Sequence, residues 1–377
     1  MIMRNLVFFV LLFSSGCKSI DPSIKANTIT VLPKSQTIRF EDVFLKAKPL
    51  NLSGEELPLA VYRVIPYEEG YLTLDGKRQQ VGLVSSKGVF KPVIHSVGEG
   101  PGEYLETWDF KVNPESNEIF ILDRKSRKMI VYSESFAFSR EIPIKKEVAF
   151  TLLSFSFLSG NEILFQTSGS SGYKFLTYEI SSDKFEFKVP IEKEFEGLGF
   201  GNDRSMSVLN ELISVVYPLG NKIERYDRYL TRKEDLFVDF QGFSITESDI
   251  KKVGNDQNRM FDLIQNEENK KVHSFLLEET SKFYVLSYYL GSFRNGDFLK
   301  SIIDKSTRET KTFRTVKIGD VEVDLLLIGK GRGDELIFTI NQEKLERMSD
   351  SQIQALSKKL KTPINQNSPL LLICTLK

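Results

Sequence analysis

Residues 108–142 read WDFKVNPESNEIFILDRKSRKMIVYSESFAFSREI. Residues 108–112 look like an entering strand, and 118–123 return after the turn Asn113-Pro114-Glu115-Ser116-Asn117. Residues 128–133 then follow and 138–142 end the unit. Each run is short, rich in β-branched and aromatic residues, and bounded by turn formers. Ile119-Phe120-Ile121-Leu122 is apolar on both sides, as a strand must be when both faces of its sheet are covered. The scheme recurs at once in 153–158, 162–166, 175–180 and 184–189.

Working outward, the second strand of the unit returns along the chain at 71–74, 119–122, 163–165, 212–215, 283–286 and 336–338. Four of the six follow a Glu directly: Glu118, Glu162, Glu211 and Glu335. Successive starts are 48, 44, 49, 71 and 53 residues apart. The long spacing holds a polar segment, 244–269, without which it too is about 45, the period of a four-stranded blade. The reading is an all-β chain, a six-bladed β-propeller over 27–377 with two short helical insertions. Its last blade is expected to be completed by an N-terminal strand near 28–32 or 37–40. The first insertion begins at Thr246-Glu247-Ser248-Asp249 and continues through Ile250, Val253, Phe261 and Ile264, broken near Gly254-Asn255. Its apolar stripe should rest on neighbouring blades. The second begins at Ser349-Asp350-Ser351-Gln352 and is stopped by Lys361-Thr362-Pro363.

Composition narrows function by exclusion. Only six Ala stand against 29 Phe and 13 Tyr, which favours strands over helices. Lys+Arg and Asp+Glu are both 51, so the basic footprint of a nucleic-acid binder is missing and no nucleic acid is expected as partner. With two His and two Cys in the chain, neither a zinc site nor a disulfide framework can be assembled, and no cofactor or metal is expected. No Ser/His/Asp set can be put together, so no catalytic residue is assigned.

The N-terminus gives an address. Arg4 precedes the apolar run 6–13, and Ser14-Ser15-Gly16 leads to Cys17. The run is too short to span a membrane, which takes roughly 20 apolar residues, and fits a secretory signal over residues 1–16. Ser15-Gly16-Cys17 resembles a bacterial lipobox, which would leave Cys17 lipidated, 17–26 as a tether, and a monomeric body held on the membrane. Buried acyl methylenes contribute about 0.8 kcal/mol each, enough in number for a stable anchor. No acidic cluster follows the Cys, so the outer membrane's periplasmic face is favoured over the cell surface.

Several motifs invite function. His95 and the glycine loop Gly98-Glu99-Gly100-Pro101-Gly102-Glu103-Tyr104 form a candidate rim loop. It is no dinucleotide fingerprint, because Pro101 lacks the N–H that a phosphate cradle needs. A tight crossover with Tyr104 wedged between blades is the favoured reading. Residues 197–202 are glycine-rich without a P-loop Lys. Arg332-Gly333-Asp334 is read as turn chemistry rather than an adhesion signal. The polar turn 305–311 is read as solvated, and Cys374 as a buried small hydrophobe. Asp109 stands where an inner strand could offer a channel carboxylate, but one carboxylate does not make a metal site.

Taken together, Ser15-Gly16-Cys17, the glycine loop after the first blade, and the ending Asn367-Ser368-Pro369 through Lys377 resemble the six-bladed β-propeller lipoproteins of Bacteroides-like bacteria. In this sequence Ser368 intrudes between Asn367 and Pro369. The resemblance implies the propeller and an envelope location, and carries no general catalytic motif. The resulting expectation is a non-catalytic binding or scaffolding module for an envelope protein or glycan. The alternative is a propeller hydrolase or lyase using a metal in the central channel.

Overall fold

The computed structural model describes residues 27–377 except Phe200 and Asn255. Six sheets are four-stranded antiparallel blades, one of them with an added strand, and a seventh is a small three-stranded sheet. Blade 1 comprises Val61–Tyr67, Gly70–Asp75, Gln80–Val84 and Phe90–Ile94. Blade 2 comprises Asp109–Val112, Ile119–Asp123, Lys128–Tyr132 and Phe138–Pro143. Blade 3 comprises Leu152–Ser159, Glu162–Thr167, Tyr173–Glu179 and Lys184–Pro190. Blade 4 holds Met206–Leu209, Leu212–Val215, Lys222–Asp227 and Leu236–Asp239. Blade 5 holds Val272–Glu279, Phe283–Leu290, Asp297–Asp304 and Thr310–Phe313. Blade 6 is built from Leu326–Lys330, Glu335–Ile340 and Leu370–Leu376, closed by Phe44–Asn51 from the N-terminal part.

The side chains explain why the blades form a ring. In blade 2, Ile119 and Ile121 pack with Leu72, Leu74 and Val81 of blade 1. The alternate residues Phe120 and Leu122 pack with Phe155, Ile163 and Phe165 of blade 3. A strand's period of two thus sends successive apolar residues into opposite seams. Apolar seams of the same kind join blades 3 and 4, 4 and 5, and 5 and 6. Leu50, Ile337 and Ile373 of blade 6 meet Val61, Val64 and Tyr71 of blade 1, which closes the circle.

The closing strand differs from the expected one. Thr28–Thr30 instead adds in parallel to the outer edge of blade 4, and Thr37–Arg39 pairs in parallel with Thr315–Ile318 in the small sheet. Three residues cannot match the length of Leu370–Leu376, whereas Phe44–Asn51 pairs along all of it. Pro49, with no N–H to donate, is tolerated because this strand lies at a blade's edge.

Antiparallel order puts the blade-to-blade crossovers and the second-to-third-strand turns on one face, and the remaining hairpins on the other. Both helical insertions belong to the crossover face. The second is the helix Asp350–Leu360, whose Ser349 and Gln352 form a capping box. Short helices at Phe40–Val43, Lys146–Ala149 and Gln342–Glu346 were not legible in the sequence.

On the hairpin face, Arg332 Nη2 donates to the carbonyls of Glu68 and Gly70 in blade 1. Asp334 accepts from the backbone N–H and the hydroxyl of Ser281 in blade 5, at 2.7 and 2.6 Å. The tripeptide therefore ties three blades together. The turn 305–311 is not wholly solvated, because Lys305 Nζ reaches Glu279 at 2.6 Å and the Thr280 carbonyl at 2.7 Å.

Candidate binding cleft and central channel

The insertion after blade 4 builds a concavity. Thr246 and Asp249 cap the helix Glu247–Val253 reciprocally, Gly254 ends it at φ +62°, and Asp256 caps Gln257–Ile264. Ile250, Val253, Met260 and Ile264 are buried against Leu198, Leu219 and Ile245. Phe261, expected in this stripe, is 39% exposed, and Met260 occupies the buried position instead. The first of the two helices, with the 244–246 segment before it, roofs a cleft of about 580 Å³ between blades 3 and 4. Phe195, Tyr217 and Phe237 supply aromatic surface, with Asn221, Lys222 and Lys251 among the polar groups.

The cleft's floor is an ion network. Lys174, 1% exposed, donates to Glu224 at 2.6 Å and to Glu192 at 2.7 Å. Glu224 also accepts from Lys222 at 2.9 Å and from the Tyr226 hydroxyl at 2.7 Å. Burial alone would raise the Glu224 carboxyl, but the charges of Lys174 and Lys222 and the hydrogen bonds outweigh it, and its pKa falls to about 2. The floor is therefore ionised, rigid and internally satisfied. Its members are scattered over 173–235 and had no local signature beyond a charge placed within an apolar strand.

The channel along the ring axis holds a second, smaller cavity of about 150 Å³, lined from all six inner strands or their approaches. Arg63 Nη2 lies 3.1 Å from carboxylate oxygens of both Asp109 and Asp203, joining blades 1, 2 and 4. Asp109 also accepts from the backbone N–H groups of Phe110 and Phe155 at 2.8 and 3.2 Å. Burial alone would raise the Asp203 carboxyl, yet the Arg63 and Arg204 guanidinium groups hold it below its ordinary value. A carboxylate so occupied has little left for a divalent cation. Among the described residues, no three His, Cys, Asp or Glu side chains converge as metal ligands.

The rim-loop residues lie apart from both sites. Tyr104 is fully buried among Leu74, Ile94, Phe110 and Ile130, wedged between blades 1 and 2. Its hydroxyl donates to the Gln79 carbonyl at 2.7 Å. Glu103 accepts from the Gly100 N–H at 2.8 Å. Gly102 has φ +73°, and its N–H reaches Glu141 at 2.8 Å; a Cβ there would strike the Phe138 ring. Gly98 bonds the Tyr104 carbonyl at 3.0 Å, Pro101 is exposed at the loop's tip, and His95 is exposed with no catalytic neighbour. Most of the loop's polar groups are thus used within the crossover itself. His273 is buried, hydrogen-bonded to the Gly291 carbonyl at 2.7 Å, and its pKa is lowered by burial. Cys374 is buried in blade 6, where burial pushes its thiol up. Cys17 lies outside the described residues.

A closed ring of doubly buried blades with a charged axis and a roofed cleft defines an all-β propeller. The chain belongs to the family described as 6-bladed beta-propeller, whose match spans residues 22–337. A Bacteroides fragilis protein described as exported superposes with a TM-score of 0.73 at 19% identity, over 93% of this chain and 99% of its own. A Bacteroides vulgatus member of the duf4221 family gives 0.55 at 11%, over 89% and 97%. At such identities the likeness is one of fold. The sequence matches no curated protein.

Proposed function

We propose that this chain is a lipid-anchored, non-catalytic binding module of the cell envelope, engaging a protein or glycan in the cleft under the 244–269 insertion. The observation that carries the reading is the cleft itself. It is concave, lies on the crossover face, and mixes aromatic faces with hydrogen-bonding groups, as recognition sites do. Glu224 is held ionised by Lys174 and Lys222, and both it and Glu192 are engaged by lysine rather than left free for acid-base work. The cationic axis argues against the alternative of a channel-metal hydrolase or lyase, because it would repel a divalent ion.

Location rests on Cys17 and its preceding signal. Among the described residues, no helix is long and apolar enough to cross a membrane. Replacing Cys17 by Ala is expected to move the protein from the membrane fraction to the soluble one; unchanged fractionation would refute the anchor. The strand Thr28–Thr30 runs parallel to Leu236–Asp239, so Asn27 points toward the hairpin face.

Deleting 246–266 and bridging the ends with a short Gly/Ser turn leaves every blade strand in place, and loop closure depends only weakly on length. The variant is expected to fold and to lose the partner. A folded variant that keeps every partner of the full protein would show that the cap is only a cover.

A further inference from the structure

The axial cavity is distinct from the cleft and does not depend on its reading. Five charged side chains line it: Arg63, Lys111, Arg204 and Lys330 against Glu278. Behind the wall, Asp109 and Asp203 are engaged by Arg63. Four cations thus meet three carboxylates. Among the described residues, neither Lys330 nor Glu278 has an ion pair within 4 Å, and Lys111 reaches Asp109 only at 3.6 Å. Arg63 is 5% exposed, and its Nε is buried without a hydrogen-bond partner, as is the Nε of Arg204. Burial pushes the amines of Lys111 and Lys330 down, with the Arg63 charge adding to the effect at Lys111. A buried donor left unpaired and a surplus positive charge are both costly, and one bound anion relieves both.

We propose that the channel binds one small oxyanion, a phosphate, sulfate or carboxylate group, held by Lys111 and Lys330 against Arg63. The lining supplies point charges from two lysines beside two guanidinium groups whose Nε donors are unpaired, chemistry that suits an oxyanion. The single surplus positive charge matches one anionic group. A cavity of about 150 Å³ admits a tetrahedral anion with a few waters, each of which takes about 30 Å³ of liquid.

Isothermal titration of the full chain in detergent, in chloride buffer of fixed ionic strength, tests this with inorganic phosphate as probe. Saturable one-to-one binding is expected. It should weaken at least tenfold in Lys111→Gln and in Lys330→Gln and stay unchanged in Lys358→Gln, on an exposed helix face. Glucose 6-phosphate run in parallel separates the sources. Tighter binding than phosphate assigns the anion to the end of a larger ligand, and weaker binding assigns a free ion. Because Lys330 is half-buried with no ion pair within 4 Å among the described residues, Lys330→Met without anion is expected to melt no lower than wild type. Phosphate should raise the melting temperature of wild type and not of that variant. Absence of saturable phosphate binding by wild type, or binding by both lysine variants as tight as that of wild type, overturns the proposal.

Discussion

Replacing Arg63 by Met is expected to lower stability at pH 7 by about 3–5 kcal/mol, the usual cost of stripping a buried ion cluster of one member. Arg63 alone lies within 3.1 Å of both Asp109 and Asp203, and neither carboxylate is more than 6% exposed. Without the guanidinium, Asp109 keeps only its N–H donors and the distant Lys111, while Asp203 keeps the influence of Arg204. The sign of the pH effect follows. The Asp203 carboxyl is held low in the folded protein, so the stability it contributes is present above its unfolded value, near 3.8, and is lost as pH falls below that. In the variant that carboxyl rises, so protonation relieves part of the penalty and the gap to wild type should shrink by pH 4. Arg63→Lys should recover only part of the loss, because one ammonium cannot reproduce the fork. Denaturation midpoints at pH 7 and pH 4 measure all three. A neutral Arg63→Met would mean that the cluster does not hold the inner strands together.

Lys174→Met should cost a similar amount, about 3–5 kcal/mol, for the same reason. Lys174 and Glu224 are 1% and 2% exposed and 2.6 Å apart. Removing the lysine leaves Glu224 with Lys222 and the Tyr226 hydroxyl, and leaves Glu192 without its 2.7 Å partner. The Glu224 carboxyl, lowered from 4.5 to about 2, contributes roughly 3 kcal/mol at about 1.4 kcal/mol per tenfold change in acidity. That stability is complete above pH 4.5 and is lost between about 4.5 and 2. The variant should therefore lose most of this acid dependence. Adding Glu224→Gln to Lys174→Met should restore much of the midpoint, since it removes the uncompensated charge rather than a contact. Disrupting the exposed pair Arg347–Glu343, by contrast, should leave the midpoint where it is.

The blades were legible because burial on both faces writes itself into local sequence. Ile119 to Leu122 has no polar position, and each residue has a seam to fill. The cap could be read for a different reason: Thr246 with Asp249 and Ser349 with Gln352 are capping pairs that act over three residues. The closing strand was not legible. Phe44–Asn51 carries Lys46, Lys48 and Pro49, which are acceptable only because the strand is the outermost of its blade, and edge status is set by the whole ring. The channel and the cleft floor were hidden by distance along the chain. Arg63 and Asp203 are 140 residues apart, and Lys174 and Glu224 are 50. Each is an ordinary charge until the ring closes. The glycine loop drew the eye through its composition, yet its composition reflects a crossover packed around Tyr104.

The measurement closest to the central claim is a pull-down of the lipidated protein from its own envelope, beside a variant whose cleft is filled. Ser244→Trp places an indole among Tyr217, Leu219 and Ile250 without touching a blade strand. Expected is a partner or glycan retained by the wild type and lost by Ser244→Trp, with both proteins melting alike. The same partners recovered by both would contradict the claim that the roofed cleft is where this propeller binds.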